Sequence, residues 1–218
     1  MILTDTQIRE ACDAGDISIE PFEEGQVQPA TYDLRVGAQG ATTTTKKLID
    51  IQREGYLLLK PGDFAIITVF EILHLSPQYA ARFGLRSKYA RKGLIATTGP
   101  QIDPGYRGRL ILGLTNLTPK PVPLPYKDDL ISVEFHKLEQ PCTNPYSGPY
   151  QDKLELGPED IEMVVETEAM TLSEVLTTLS SLSKNVASLA THVKMLEWIV
   201  PLIVGIGIAV IGIIVAIK

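Results

Sequence analysis

Proline and glycine punctuate this chain so densely that its first 160 residues leave little room for long helices. Fifteen prolines and seventeen glycines stand among 218 residues. The runs between them are short and apolar, as strands joined by tight connections are, so an all-β domain is expected. The strand-like runs are YLLLK (56–60), FAIITVF (64–70), LIATT (94–98), RLILGLT (109–115) and LISVEF (130–135). The stretch PKPVPLP (119–125) alternates prolines, which donate nothing to a ladder, and so belongs at a sheet edge or in an extended connection. One short helix is expected in TDTQIREACDAG. Thr4 and Gln7 suit a capping box, Ile8 and Ala11 form an apolar side, and Gly15 ends it.

Beyond about residue 160 the pattern changes. Leu172, Val175, Leu179, Leu182, Val186, Leu189, Val193 and Leu196 recur at alternating spacings of three and four. That is a heptad seam, read as a coiled coil or as an amphipathic helix packed on its own domain. Then WIVPLIVGIGIAVIGIIVAI (198–217) runs 20 positions without a charge. At about 1.5 Å per residue it matches a hydrocarbon core of about 30 Å. The expected organisation is a domain at 1–160, a linker and heptad helix at 161–197, and a transmembrane helix at 198–217. The N-terminus MILTDTQIRE has no secretory leader pattern. A tail-anchored protein of the cell membrane is therefore expected, its domain facing the cytoplasm.

Charge and cysteine narrow the function classes. The formal net charge of −6 argues against nucleic-acid binding, which requires a basic face. Two cysteines, Cys12 and Cys142, lie far apart without CxxC spacing, so neither a disulfide framework nor a zinc site is expected. Polar side chains gather in four places: Gln28, Asp33 and Arg35 in QPATYDLRV; Arg86, Ser87, Lys88, Arg91 and Lys92 in LRSKYARKG; Asp103, Tyr106 and Arg107 in IDPGYRG; and GPYQDK near the end of the domain. Cations beside a hydroxyl suit a polyphosphate, though such a run is equally a solvated face. Asp103 precedes Pro-Gly, a stock turn, and also stands beside a Tyr and an Arg as a pocket carboxylate would. The residues leave both readings open.

In this order and spacing the clusters resemble the dCTP deaminase/dUTPase family over residues 1–158. The opening segment through TYDLRVG, the phosphate-motif-like RSKYARKGL, the hairpin IDPGYRG and the closing PYSGPYQ carry the resemblance. It implies a distorted jelly-roll or β-barrel and a homotrimer with its sites between subunits. The ligand would be a pyrimidine deoxynucleoside triphosphate carrying Mg²⁺. It further implies that Arg86, Ser87, Lys88 and Arg91 hold phosphates and that Tyr106 packs on the deoxyribose. Asp103 would stand at the sugar and, in a dUTPase, position the attacking water. Tyr150 and Gln151 belong to the closing segment and would touch nucleotide.

The departures bear on activity. The family's deaminases carry a Glu ten residues after the hairpin Asp as the proton-transfer group, and here that position is Gly113. Loss of such a group typically removes about 10²–10⁴-fold of rate. The Thr-Ala-Gly run before the hairpin becomes TGPQ, Lys88 replaces a Ser, and the glycine-rich fifth motif of dUTPases is missing. Hydrolysis of dUTP or a related triphosphate by Asp103 is thus expected over deamination. A deaminase would need another acid, for which Glu134 is a weak candidate. The alternative is a catalytically inactive nucleotide sensor acting through membrane helices.

Overall fold

Thr4 opens the first helix as its sequence implies, its backbone N–H donating to Gln7 Oε1 at 3.0 Å. Ile8 and Ala11 are buried, and Gly15 leaves the helix at φ +76°. The computed structural model describes residues 1–166, 178–190, 192–196, 199 and 205. The chain divides into two compact units, Met1–Ser173 and Glu174–Lys218.

The first unit begins with α1 (Asp5–Asp13), β1 (Ile17–Glu20), β2 (Tyr32–Thr42), β3 (Ile49–Asp50), α2 (Ile51–Glu54) and β4 (Tyr56–Leu59). It continues with β5 (Phe64–Val69), β6 (Ile72–Leu75), β7 (Tyr79–Leu85), α3 (Ser87–Ala90), β8 (Leu94–Ala96) and β9 (Gln101–Ile102). β10 (Arg107–Gly108), β11 (Ile111–Asn116), β12 (Val122–Pro125), β13 (Asp129–Lys137) and α4 (Pro158–Glu166) complete it. The main sheet runs β8-β11-β5-β2-β13-β7-β9, with β3 also on β2. A second sheet has the order β1-β6-β10. β12 pairs with β4 as a separate ribbon, where its prolines cost no central ladder bond.

Chain connectivity requires the main sheet to curl. Its two end strands, β8 and β9, are consecutive in sequence and joined by residues 97–100. The five steps from Ala96 to Gln101 reach at most about 18 Å. Seven flat strands would hold their ends about 29 Å apart. The sheet must therefore roll into an open half-barrel that brings its ends together. β2 makes the bend: it pairs with β5 and β13, and its register to β5 shifts between Val36 and Gly40.

Inside lie Tyr32, Leu34 and Val36 of β2, Ile67 and Val69 of β5, Leu112 and Leu114 of β11, and Val133 and Phe135 of β13. Each such aliphatic side chain contributes about 1.5–3 kcal/mol relative to exposure. Arg35 is spent in this interior. Its Nε donates to Glu71 Oε1 at 2.6 Å, and its backbone N–H donates to Glu71 Oε2 at 2.9 Å. Cys12 and Cys142 are both free.

The expectation of an all-β domain with a helical stalk and a transmembrane helix is corrected. The first unit is mostly β, with four short α-helices and one 3-10 turn (Glu24–Gln26) among its described residues. Among the described residues no helix is long and apolar enough to cross a membrane. Residues 178–190 and 192–196 are helical but carry Ser181, Lys184, Asn185, His192 and Lys194, too polar for a lipid-facing span. The expected span 198–217 lies outside the described residues except for Ile199 and Gly205. The tail anchor and membrane localisation inferred from it fall with that expectation. Of the heptad seam, Leu172 and Val175 lie outside the described residues; Leu179, Leu182, Val186, Leu189, Val193 and Leu196 are exposed.

Candidate functional site

Asp103 serves the turn with its backbone and a cavity with its side chain. The Tyr106 N–H donates to the Asp103 carbonyl at 3.1 Å, closing a turn with Pro104 and Gly105 at its centre. Gly105 has φ +82°, and a Cβ there would stand 2.5 Å from Pro145 Cβ. Backbone alone thus explains Asp-Pro-Gly. The Asp103 carboxylate, meanwhile, lines a cavity of about 420 Å³ and takes no side-chain hydrogen bond or ion pair among the described residues. Tyr106 lines it too, buried, its hydroxyl donating to the Arg109 carbonyl at 2.8 Å. Burial and then neighbouring Tyr146 push the Tyr106 phenol well above its ordinary value. Tyr106 therefore offers a ring face, not an acid.

The walls are largely apolar: Phe64 and Ile66 of β5, Phe83 of β7, and Ile111 and Leu112 of β11. Gly113 lies among them. A Cβ at 113 would meet Thr97 Oγ1 at 2.5 Å, Phe64 Cε2 at 3.1 Å and Thr98 Oγ1 at 3.3 Å. The Gly113 N–H donates to Thr98 Oγ1 at 2.6 Å, and its carbonyl accepts from the Thr97 N–H at 2.9 Å. Two threonines from the β8–β9 connection thus occupy the space beside the bare glycine. Neither was singled out from sequence; the altered run before the hairpin was the available signal.

The closing segment ties itself to the hairpin. Gln151 accepts from the Arg107 N–H at 3.2 Å and donates to the Gly105 carbonyl at 3.0 Å, so its amide is engaged with the turn. Tyr150 lines the cavity and is part-exposed. Next, α4 packs over the sheet through Val164, buried with Ala41, Ile66 and Leu156. Asp160 accepts from the Gly157 N–H at 2.7 Å and pairs with Lys153 Nζ at 2.7 Å, which also reaches Glu159 at 2.8 Å. Asp160 and Met163 complete the cavity on this side.

The cations lie elsewhere in the single chain. Arg86, Ser87, Lys88 and Arg91 surround α3 and do not line the cavity. Arg86 donates to Asp33, which is fully buried and also accepts from Ser132 Oγ at 2.6 Å. Lys88 Nζ donates to Asp128 at 2.6 Å, and the Tyr89 hydroxyl donates to the same carboxylate. Burial opposes charge on Asp128, but those two hydrogen bonds outweigh it and hold the carboxyl below its ordinary value. Ser87 and Arg91 are exposed. The structure therefore brings Asp103, Tyr106, Gly113 and Tyr150 together and leaves the cation cluster, braced by Asp33 and Asp128, outside that group.

The comparisons agree with this architecture. A family model described as dCTP deaminase-like matches residues 2–138. A protein named dCTP deaminase from Pyrococcus horikoshii is 38% identical over 156 residues, 72% of this chain and 95% of that one. One named dCTP deaminase, dUMP-forming, from Aquifex aeolicus is 30% identical over 179 residues, 78% of this chain and 99% of the relative. Among solved structures, the 2'-deoxycytidine 5'-triphosphate deaminase of Agrobacterium tumefaciens aligns with TM-score 0.53 at 22% identity. That alignment covers 62% of this chain and 48% of the other, and shows a shared fold. This chain belongs to the dCTP deaminase-like family.

Proposed function

We propose that this protein binds pyrimidine deoxynucleoside triphosphates as a homotrimer and hydrolyses dUTP, or a related triphosphate, to the monophosphate and pyrophosphate. The observation that carries the reading is the Asp103 carboxylate, unpaired among the described residues, in a largely apolar cavity that has glycine at position 113. In this reading the sugar packs on the buried Tyr106 ring. Asp103 accepts a proton from a water whose oxygen attacks the α-phosphorus. The bond from that phosphorus to the bridging oxygen breaks, and pyrophosphate leaves. A carboxylate at an open cavity, within reach of water and without a competing cation among the described residues, suits such a step.

Arg86, Ser87, Lys88 and Arg91 are assigned to the phosphates. They do not reach the cavity within one chain, so they are supplied by a neighbouring subunit. Asp33 holds Arg86 and Asp128 holds Lys88, so these cations arrive oriented. Tyr150 covers the site, while Gln151 holds the turn that carries Asp103. Mg²⁺ was the expected cofactor. Among the described residues no three His, Cys, Asp or Glu side chains group to cage an ion, and Asp160 is engaged with Lys153. The residues do not fit a protein-held Mg²⁺, so the ion belongs on the phosphates as part of the substrate.

Deamination is the second reading, favoured by the relatives' names. It lacks the acid at position 113: Asp160 at the cavity is held by Lys153, Glu134 does not line the cavity, and Glu134 Oε1 lies 2.9 Å from His136 Nε2. The test is to incubate the full chain with dUTP and with dCTP in Mg²⁺, following pyrophosphate and ammonia separately. Pyrophosphate from dUTP, abolished in Asp103→Asn with triphosphate affinity kept, is expected. Ammonia from dCTP would replace the hydrolytic reading with the deaminase one.

A further inference from the structure

We propose that Thr98, held by Gly113, selects pyrimidines with a 4-oxo group over those with a 4-amino group. The inference rests on the nucleotide reading of the cavity and deepens it by naming the base.

A threonine hydroxyl has one proton and two lone pairs. At Thr98 one lone pair is already taken, because the Gly113 N–H donates to Oγ1 at 2.6 Å. That short contact orients the hydroxyl, with its proton directed away from the amide. No acceptor for the proton is found among the described residues. Thr98 lines the same cavity as Asp103 and Tyr106. It therefore presents an oriented donor to whatever fills the cavity.

Gly113 is part of the device. A side chain there would stand against the threonines, since even a Cβ would lie 3.3 Å from Thr98 Oγ1 and 2.5 Å from Thr97 Oγ1. With hydrogen at 113, the peptide and the two hydroxyls form one polar part of a wall that is otherwise largely apolar on this side. Thr97 is fixed by its own N–H, which donates to the Gly113 carbonyl at 2.9 Å. Thr97 thus blocks rotation of the connection and keeps Thr98 in place.

The ligand geometry selects the atom that is read. In a pyrimidine nucleoside, C4 lies across the ring from the sugar-bearing N1. With the sugar at Tyr106 and Asp103, the 4-substituent is the group that reaches farthest into the pocket. A 4-oxo group accepts the Thr98 proton. A 4-amino group is itself a donor and cannot accept it, so the exposed Thr98 hydroxyl keeps its proton on water instead. One net hydrogen bond made to the 4-oxo ligand and not to the other corresponds to up to about tenfold in affinity.

The experiment titrates the full chain with the non-hydrolysable α,β-imido analogues of dUTP and dCTP, using calorimetry. A third ligand carries 2-pyrimidinone, which lacks any 4-substituent. The parent should bind the uracil ligand about tenfold more tightly than the other two. Thr98→Val should bring the three affinities within about threefold, and Thr98→Ser should keep the parent's order. A parent that binds cytosine or 2-pyrimidinone as tightly as uracil overturns the inference. So does a folded Thr98→Val that keeps the preference. If Thr98→Val fails to fold, the 2-pyrimidinone result on the parent decides alone. A parent that binds none of the three ligands removes the nucleotide reading itself, and this inference with it. Binding without discrimination removes only the inference.

Discussion

At the scale of single residues, position 113 is a glycine in the cavity wall, and its neighbours leave little room for a side chain. A Cβ at 113 would lie 2.5 Å from Thr97 Oγ1 and 3.1 Å from Phe64 Cε2, closer than either neighbour tolerates unmoved. Restoring an acid by Gly113→Glu therefore overfills the wall and removes the threonine arrangement. We expect it to destabilise the protein by about 1–3 kcal/mol, the usual cost of overpacking, and to produce no ammonia from dCTP. Combining it with Thr97→Gly should recover much of the stability, because the nearest obstacle is gone. Denaturant unfolding of both variants, with an ammonia assay, checks this. Parent-like stability in Gly113→Glu alone would mean that Thr97 does not fill the space. Asp103 was legible only as an alternative in sequence, turn former or pocket acid. In the structure its backbone closes the turn and its side chain lines the cavity. Thr98 was not legible, because a hydroxyl gains its meaning from the amide of a residue fifteen positions away.

At the scale of elements, β2 and β7 were missed in sequence although they run 11 and 7 residues, whereas the apolar runs read as strands became β4, β5, β8, β11 and β13. Their apolar character is strong, and prolines or glycines flank them. β9 and β10 have two residues each and carry no period; only the pairing of β9 with β7 and of β10 with β6 defines them. α4 was read as linker, although Gly157, Pro158, Glu159 and Asp160 make an ordinary helix start. What hid it was length. Nine residues give few apolar positions, and Met163 and Val165 are exposed, so the buried stripe that matters rests mainly on Val164. That makes α4 testable through a single side chain. Val164→Asp buries a carboxylate against Ala41, Ile66 and Leu156 with no cation among them. Amide hydrogen exchange over 158–166 should rise by at least tenfold, while exchange in α1 stays as in the parent. Nucleotide affinity should fall too, because α4 carries Asp160 and Met163 at the cavity. Unchanged exchange over 158–166 would show that Val164 does not hold the helix down.

At the scale of the whole molecule, the proposed site is incomplete in one chain, and that incompleteness yields the sharpest test. Asp103 and Tyr106 line the cavity, whereas Arg86, Ser87, Lys88 and Arg91 surround α3 outside it. The proposed trimer supplies the cations across an interface, and a closed ring forms three equivalent sites of this kind. Arg86→Ala and Asp103→Asn then damage different halves of each site. Either variant alone should lose hydrolysis, Arg86→Ala with weaker triphosphate binding and Asp103→Asn without it. Co-expressed at equal levels with separable tags, they assemble into mixed trimers. A site is intact when its Asp103 comes from an Arg86→Ala chain and its Arg86 from an Asp103→Asn chain. Random assembly makes that happen at about one site in four. Mixed trimers should therefore regain about a quarter of parental turnover, while the two variants purified apart and assayed together without exchange should regain none. A doubly substituted chain co-expressed with the parent should also retain about a quarter, since an intact site then needs two parental neighbours. If each site were built within one chain, the first mixture would stay inactive and the second would keep about half. The two arrangements thus differ in both mixtures, and the comparison needs no knowledge of the interface beyond the residues named.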